Sequence, residues 1–293
     1  MNGKPRRLLA LISCLFLLAV MPCVSADSGF SGDPDAVERA ADSVFMLEVY
    51  RSDRAKVAIG SGFVAFDPSI IVTNYHVIED GAYVVAISDD SERYYIDRVC
   101  IADKNLDLAI LKLDTKTKAR PLPLDTADRL KRSQTVVAIG SPAGLKNTVS
   151  IGNISGFYDQ KGKSWIQFTA PISSGSSGGV LFDDDGEVIG ITTATYASTQ
   201  NVNLAVRASS LLALYRKWDG RSTKSLASVT GHQAPAVSSQ AASQTPSGST
   251  VWITASGKKY HSNPNCSKMR SPREIDLMEA ISGGYEPCGK CYK

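Results

Sequence analysis

From Val44 onward the chain is a succession of short apolar runs separated by turn residues, a pattern of strands rather than helices. The runs fall at 44–51, 57–66, 70–73, 83–88, 93–101 and 107–113, then at 135–140, 148–157, 164–169, 180–183, 187–195 and 202–206. A polar, lysine-rich stretch from Asp114 to Arg132, with Pro121 and Pro123, separates the two sets. Lys161-Gly162-Lys163 and Asp184-Asp185-Gly186 predict hairpin turns. Asp35–Ser43 reads as a short amphipathic helix before the strands, and Arg207–Trp218 as a helix after them. Six strands, a crossing segment and six more predict an all-β domain of two six-stranded antiparallel barrels with a C-terminal helix.

The ends differ from this body. Lys4, Arg6 and Arg7 precede an apolar run from Leu8 to Val20, and Val24-Ser25-Ala26 supplies small residues for cleavage. Residues 1–26 are therefore expected to be a secretory signal, which makes the protein secreted, periplasmic or otherwise extracytoplasmic. The rival is a retained anchor, but the run falls short of the roughly 20 residues a spanning helix needs; Pro22 before Cys23 also fits a lipid-acceptor site poorly. No stable membrane span is expected after cleavage. Without the signal, 29 Lys and Arg face 29 Asp and Glu, so no strongly basic nucleic-acid surface is indicated. Cys100 stands alone in the body, which precludes an internal disulfide there.

The main domain is expected over 27–220. Residues 221–250 turn to Ser, Ala, Gln, Thr, Gly and Pro and predict a flexible linker. Residues 251–293 return to a compact composition, expected as a small α+β unit rich in Cys and His, with a helix-like stretch from Ile275 to Ser282. Units this small usually need a staple.

Chemistry concentrates at Gly175-Ser176-Ser177-Gly178-Gly179. A Gly-Ser run is ordinarily linker, but this one lies between the apolar runs Trp165–Ile172 and Val180–Phe182. A tight loop between core strands can turn successive N–H groups toward one point. With Ser177 as nucleophile, the amides of Gly175 and Ser177 would form an oxyanion hole. A base and an orienting acid are then required. His232 falls in the linker and His261 in the tail, leaving His76 directly after an apolar strand. Asp107 lies among Leu106, Leu108 and Ile110, where an unpartnered carboxylate would be costly to bury. In a Ser–His–Asp triad, Ser177 attacks a carbonyl, His76 carries the proton and Asp107 orients the imidazole. The rival readings are a structural histidine and a surface aspartate.

These residues, with Gly60-Ser61-Gly62-Phe63-Val64, Val72-Thr73-Asn74-Tyr75-His76-Val77, Ala138-Ile139-Gly140-Ser141-Pro142 and Asn203-Leu204-Ala205-Val206, resemble a trypsin-fold serine protease of the HtrA/Deg class from about Ser43 to Trp218. The resemblance implies peptide-bond hydrolysis through an acyl-enzyme, without a catalytic cofactor, on protein or peptide substrates that are often unfolded or exported. It also makes an oligomer one of the expected states. By position, Ile172 should approach the specificity pocket, and Thr193, Ala194 and Thr195 should lie along the substrate-pairing edge. No charged residue is evident there, which predicts small or medium aliphatic side chains at the cleaved position. Val77 and Ser176 stand where animal trypsins have Cys and Asp, and Ser176 and Val180 where HtrA-like proteins usually have Asn and Pro. No PDZ-like segment is read in the chain. The alternative is a catalytically inactive trypsin-fold binding protein that acts through its C-terminal unit.

In that unit, His261, Cys266, Cys288 and Cys291 offer one imidazole and three thiols, spaced H-x4-C and C-x2-C. This is workable ligand spacing for one structural zinc. The pattern resembles a short C-terminal module of exported bacterial proteins and, distantly, the metal-binding domain of Ada-type repair proteins. Two other readings stay open: a disulfide of Cys266 with Cys288 or Cys291, favoured by export, and a redox C-x-x-C pair.

Overall fold

A computed structural model describes residues 29–160, 162–195, 201–232, 250–255, 257–266, 269, 271–276, 280 and 285–291. The expected signal (1–26), the hairpin residue Lys161 and most of the expected linker (233–249) lie outside them.

After α1 (Pro34–Ala41) come β1 (Val44–Tyr50), β2 (Lys56–Val64) and β3 (Ile70–Thr73). A one-turn helix, α2 (Tyr75–Ile78), leads to β4 (Tyr83–Ile87), β5 (Arg93–Ile96), β6 (Arg98–Asp103) and β7 (Leu108–Lys112). The second half holds β8 (Thr135–Gly140), β9 (Thr148–Gln160), β10 (Lys163–Phe168), β11 (Val180–Phe182), β12 (Val188–Thr195) and β13 (Asn203–Arg207), followed by α3 (Ala208–Tyr215). Then come β14 (Lys224–Ser225), α4 (Leu226–Thr230) and the tail strands β15 (Thr250–Ile253), β16 (Lys259–Tyr260), β17 (Arg273–Asp276) and β18 (Glu286–Pro287).

Only the second half closes into a six-stranded barrel, in the order β10-β13-β12-β11-β8-β9. The first half is an eight-stranded sheet, β14-β6-β7-β3-β2-β1-β4-β5, not the second closed barrel expected. The stretch expected as one strand, 93–101, breaks at Asp97. Its first part pairs with β4 and its second with β7. The Asp97 carbonyl accepts from Leu226 N (2.6 Å), and β14 occupies the free edge of β6. The expected linker thus begins with ordered chain: Leu226 is fully buried among core residues of the first half.

Between the halves lies one continuous apolar cluster, with Phe63, Val72, Leu108 and Ile110 on one side and Val137, Ile139, Val180, Phe182 and Ile191 on the other. The crossing segment is stitched across it: Leu122 N donates to Val64 O (3.0 Å) and Val188 N to Pro123 O (2.8 Å). This apolar interface fixes the halves against each other, and the chemistry sits where their loops meet.

All of β4 is buried. Val84 and Ala86 face the first-half core, whereas Tyr83, Val85 and Ile87 pack with Val251, Ile253, Tyr260, Ile275 and Ala280 of the tail. A sheet face this apolar needs cover, and the tail supplies it. Within the tail β15 pairs with β17 and β16 with β18. Ile275 and Asp276 therefore belong to a strand, not to the start of the helix-like stretch expected from 275 to 282, whereas Ala280 is helical. Residues 277–279 and 281–284 are outside the described set. Among the described residues, no helix is long and apolar enough to cross a membrane.

Candidate active site

His76 stands on α2, just past the end of β3, and Asp107 just before β7. Because β3 and β7 are antiparallel neighbours pairing Thr73 with Ala109, the two residues are brought side by side. His76 Nδ1 lies 2.8 Å from Asp107 Oδ2 and 3.1 Å from Oδ1, and the His76 backbone N–H donates to Oδ1 (2.9 Å). Asp107 takes a left-handed conformation, φ 59°, held by Asn74 Nδ2 donating to its carbonyl (2.9 Å). Thr193 Oγ1 donates to Oδ2 (2.8 Å). Burial would raise the Asp107 pKa, but hydrogen bonds and the opposing charge of His76, aided by Thr193, hold it below the ordinary carboxylate value. The Asp107 side chain is 15% exposed and that of His76 43%, so the acid is sheltered while the imidazole reaches the cleft.

Ser177 comes from the other half, in the loop between β10 and β11. That loop is pinned by the first half. Ser61 Oγ donates to Gly175 O (2.8 Å) and accepts from Ser141 N (2.8 Å), while Ser61 N donates to Ser177 O (2.7 Å). So close an approach explains Gly178: its φ is +84°, and a Cβ there would lie 2.1 Å from Ser61 O. Gly175 has φ +97°. Among the described residues, the N–H groups of Gly175 and Ser177 have no protein acceptor, an arrangement able to receive an oxyanion. Ser176 is buried, its hydroxyl accepting from Ser173 N (3.3 Å) and its N–H donating to Ser173 O (2.9 Å). The loop thus closes on itself without the carboxylate of trypsins.

Ser177 Oγ donates to Thr193 O (3.0 Å), and no hydrogen bond joins it to His76 among the described residues. His76 and Asp107 are paired; the serine is beside them but turned to the neighbouring strand. Thr193, expected only as part of the substrate edge, therefore touches two triad candidates. A β-bulge in β12 between Thr192 and Ala194 re-aims it. Ala194 and Thr195 pair with β13 on one side, and among the described residues no strand pairs with their other side. Ile172 is half-buried against the second-half core. It helps line a cavity of about 10 Å³, with Ala138, Pro171 and Thr192 and no charged side chain. Ser61 and the hydroxyl of Thr193 escaped sequence reasoning; the Thr-Asn-Tyr-His run was the available signal for Asn74.

The tail holds a second constellation. The ligand atoms of His261, Cys266, Cys288 and Cys291 lie within 4.8 Å of one another. Cys266 Sγ is 3.9 Å from Cys288 Sγ, and Cys291 Sγ is 3.8 Å from His261 Nδ1. A tetrahedral shell with metal–sulfur bonds of about 2.3 Å has edges of about 3.8 Å, so the donor set fits zinc. The 3.9 Å between Cys266 Sγ and Cys288 Sγ is well beyond the about 2.05 Å of a disulfide. Burial opposes ionisation of Cys288, but backbone N–H groups of Lys290 and Cys291 and the neighbouring thiols hold its pKa below the ordinary value. Burial, then the charge of Lys259, lowers that of His261 and favours the neutral ring.

Residues 60–191 match the family described as trypsin-like peptidase domain. The chain is 38% identical over 172 residues to the anti-sigma-I factor RsgI9 of Acetivibrio thermocellus, covering 59% of this chain and 24% of that protein. It is 38% identical over 166 residues to a probable periplasmic serine endoprotease, DegP-like, of Bartonella henselae, covering 53% of this chain and 32% of that protein. In structure it resembles the HtrA-type protease AlgW with tripeptide, with a TM-score of 0.57, 28% identity, and coverage of 62% of this chain and 61% of that one. The chain thus spans a third or less of these two curated relatives. Residues 60–191 are similar to trypsin-like peptidase domains, and HtrA/DegP-class serine proteases are among the chain's relatives in sequence and in fold.

Proposed function

We propose that the protein is a secreted serine endopeptidase that cleaves unfolded or exported proteins through an acyl-enzyme. The observation that carries this reading is the His76–Asp107 pair, with Nδ1 2.8 Å from Oδ2, opposite a serine loop whose Gly175 and Ser177 amides are unpartnered among the described residues. Asp107 holds the imidazole with Nδ1 protonated, leaving Nε2 as the base for Ser177. For reaction, Ser177 Oγ leaves Thr193 O and turns to His76. Its attack on the scissile carbonyl places negative charge at the Gly175 and Ser177 amides. His76 then returns the proton to the leaving amine. The uncharged lining beside Ile172 and the open edge at 193–195 favour small or medium aliphatic side chains at the cleaved position. Export rests on the signal-like residues 1–26 and on the periplasmic description of the Bartonella relative.

His261, Cys266, Cys288 and Cys291 would hold a structural zinc that staples the tail's own segments together. It supplies folding free energy and takes no part in hydrolysis. The turned-away Ser177 favours one second reading, a binding protein without catalysis. The mature chain assayed on an unfolded protein separates the two: hydrolysis that Ser177→Ala lowers by on the order of a million-fold supports the enzyme. Absence of cleavage by either form leaves the binding protein.

A further inference from the structure

The helix that carries His76 is only four residues long and has no side-chain cap, so it cannot hold its own geometry. Its support comes from residues expected to be linker. α4 lies over the segment that runs from α2 into β4. Thr230 Oγ1 donates to Gly81 O (2.7 Å), His232 Nε2 donates to Glu79 O (3.1 Å), and Tyr75 Oη donates to Val229 O (3.4 Å). These contacts bracket His76 in sequence, from Tyr75 on one side to Gly81 on the other.

The supporting element is itself fixed. Ser225 caps the start of α4, its hydroxyl accepting from Ser228 N (3.2 Å), and Gly231 ends it in the left-handed conformation at φ 78°. Leu226 is anchored in the first-half core, and the adjacent Ala227 packs in the cluster that includes the tail. α4 is thus gripped from both sides while offering its polar groups to the chain around His76.

We infer that residues 225–232 are a positioning element for His76, holding α2 in the orientation that keeps Nδ1 on Asp107. The inference rests on the peptidase reading. None of these residues touches the reacting atoms, so they act through α2, where a misplacement of about 1 Å can cost about 100-fold in rate.

The test is Thr230→Val in the full chain, which keeps the shape but removes the donor to Gly81, with Thr230→Ser restoring it. Thr230→Val should lower kcat roughly fivefold to tenfold at unchanged KM, as expected when orientation and not substrate binding is disturbed. Thr230→Ser should recover the wild-type value. Hydrogen exchange should accelerate in a peptide spanning 75–82 and stay unchanged in one spanning 135–140 of the second half. An unaltered kcat, a serine variant as slow as the valine one, or equal acceleration in both peptides would overturn the inference. If wild type itself fails to hydrolyse, the peptidase reading falls, and the exchange contrast alone decides whether α4 braces α2.

Discussion

Cys100 and Cys288 are both buried, yet their thiols are displaced in opposite directions. Burial among core side chains pushes Cys100 up to about 11, so it stays protonated and behaves as a small apolar residue. Cys288 meets the same opposition from burial, but backbone N–H groups and neighbouring thiols bring it below its ordinary value. The contrast extends to the regions they occupy. In the body, clusters drawn from both halves fill the interior. In the tail, the buried side chains Val251, Ile253, Tyr260 and Ile275 pack with β4 of the body, and polar ligand atoms converge at the centre of the unit. A domain with enough apolar surface closes on itself; a unit of this size borrows a face and gathers ligand groups that a staple would use.

The comparison can be broken at three points. The largest effect on activity is expected in the body's chemistry: Asp107→Asn should lower kcat by about 10⁴ by presenting the wrong imidazole tautomer, leaving the tail's thiol content unchanged. The same residue sets a pH signature. Because its native pKa lies below the unfolded value, its contribution to stability is complete above the unfolded value of about 3.9 and is lost as the pH falls through the native one. The stability gap between wild type and Asp107→Asn, followed by thermal melting, should therefore narrow only below about pH 4. A gap closing between pH 6 and 7 would mean that another group sets it.

The second point is the staple, whose effect falls on stability and not on turnover. Chelation, or His261→Ala, should remove on the order of 10 kcal/mol from the tail. Calorimetry should then show a separate low-temperature transition, with Trp252 fluorescence reporting it and one zinc per chain lost. A metal-free tail that stays folded, with an oxidised cysteine pair by thiol titration, would replace zinc by a disulfide. The smallest effect lies at the seam between the regions. Tyr83 stacks with Tyr50 and Tyr95 at centroid distances of 5.2 and 5.1 Å, but its buried hydroxyl has no partner among the described residues. Tyr83→Phe should be neutral or stabilise by up to about 1 kcal/mol in denaturant unfolding. A loss larger than that would mean the hydroxyl is bonded across the seam.

Much of this was legible beforehand because strands write themselves into sequence. Runs such as Ile70–Thr73 and Val180–Phe182 are apolar, short and bounded by turn residues, and both are strands. The break at Asp97 was not legible, since 93–101 keeps its apolar character while its two parts change partner. Nor was α4: Leu226 is a lone large apolar residue in a polar stretch, and only the core it enters gives it meaning. The start of the stretch expected as helix, Ile275 and Asp276, is strand because Ile275 pairs with Val251, a partner that local polarity does not name, whereas Ala280 is helical as expected.

The sequence by itself suggested the residue types and order of the candidate site, His76, Asp107 and Ser177, because the chain has only 3 histidines, Asp107 lies among apolar residues, and Ser177 lies in a Gly-Ser loop between core strands. It also determined the donor set of the tail. Tertiary structure alone decided that Thr193 bridges Asp107 and Ser177, that Ser61 pins the serine loop, and that the tail lies on β4. Those contacts join segments from 16 to more than 100 residues apart. They depend on bulges, register and exposed sheet faces, which local patterns of polarity do not encode.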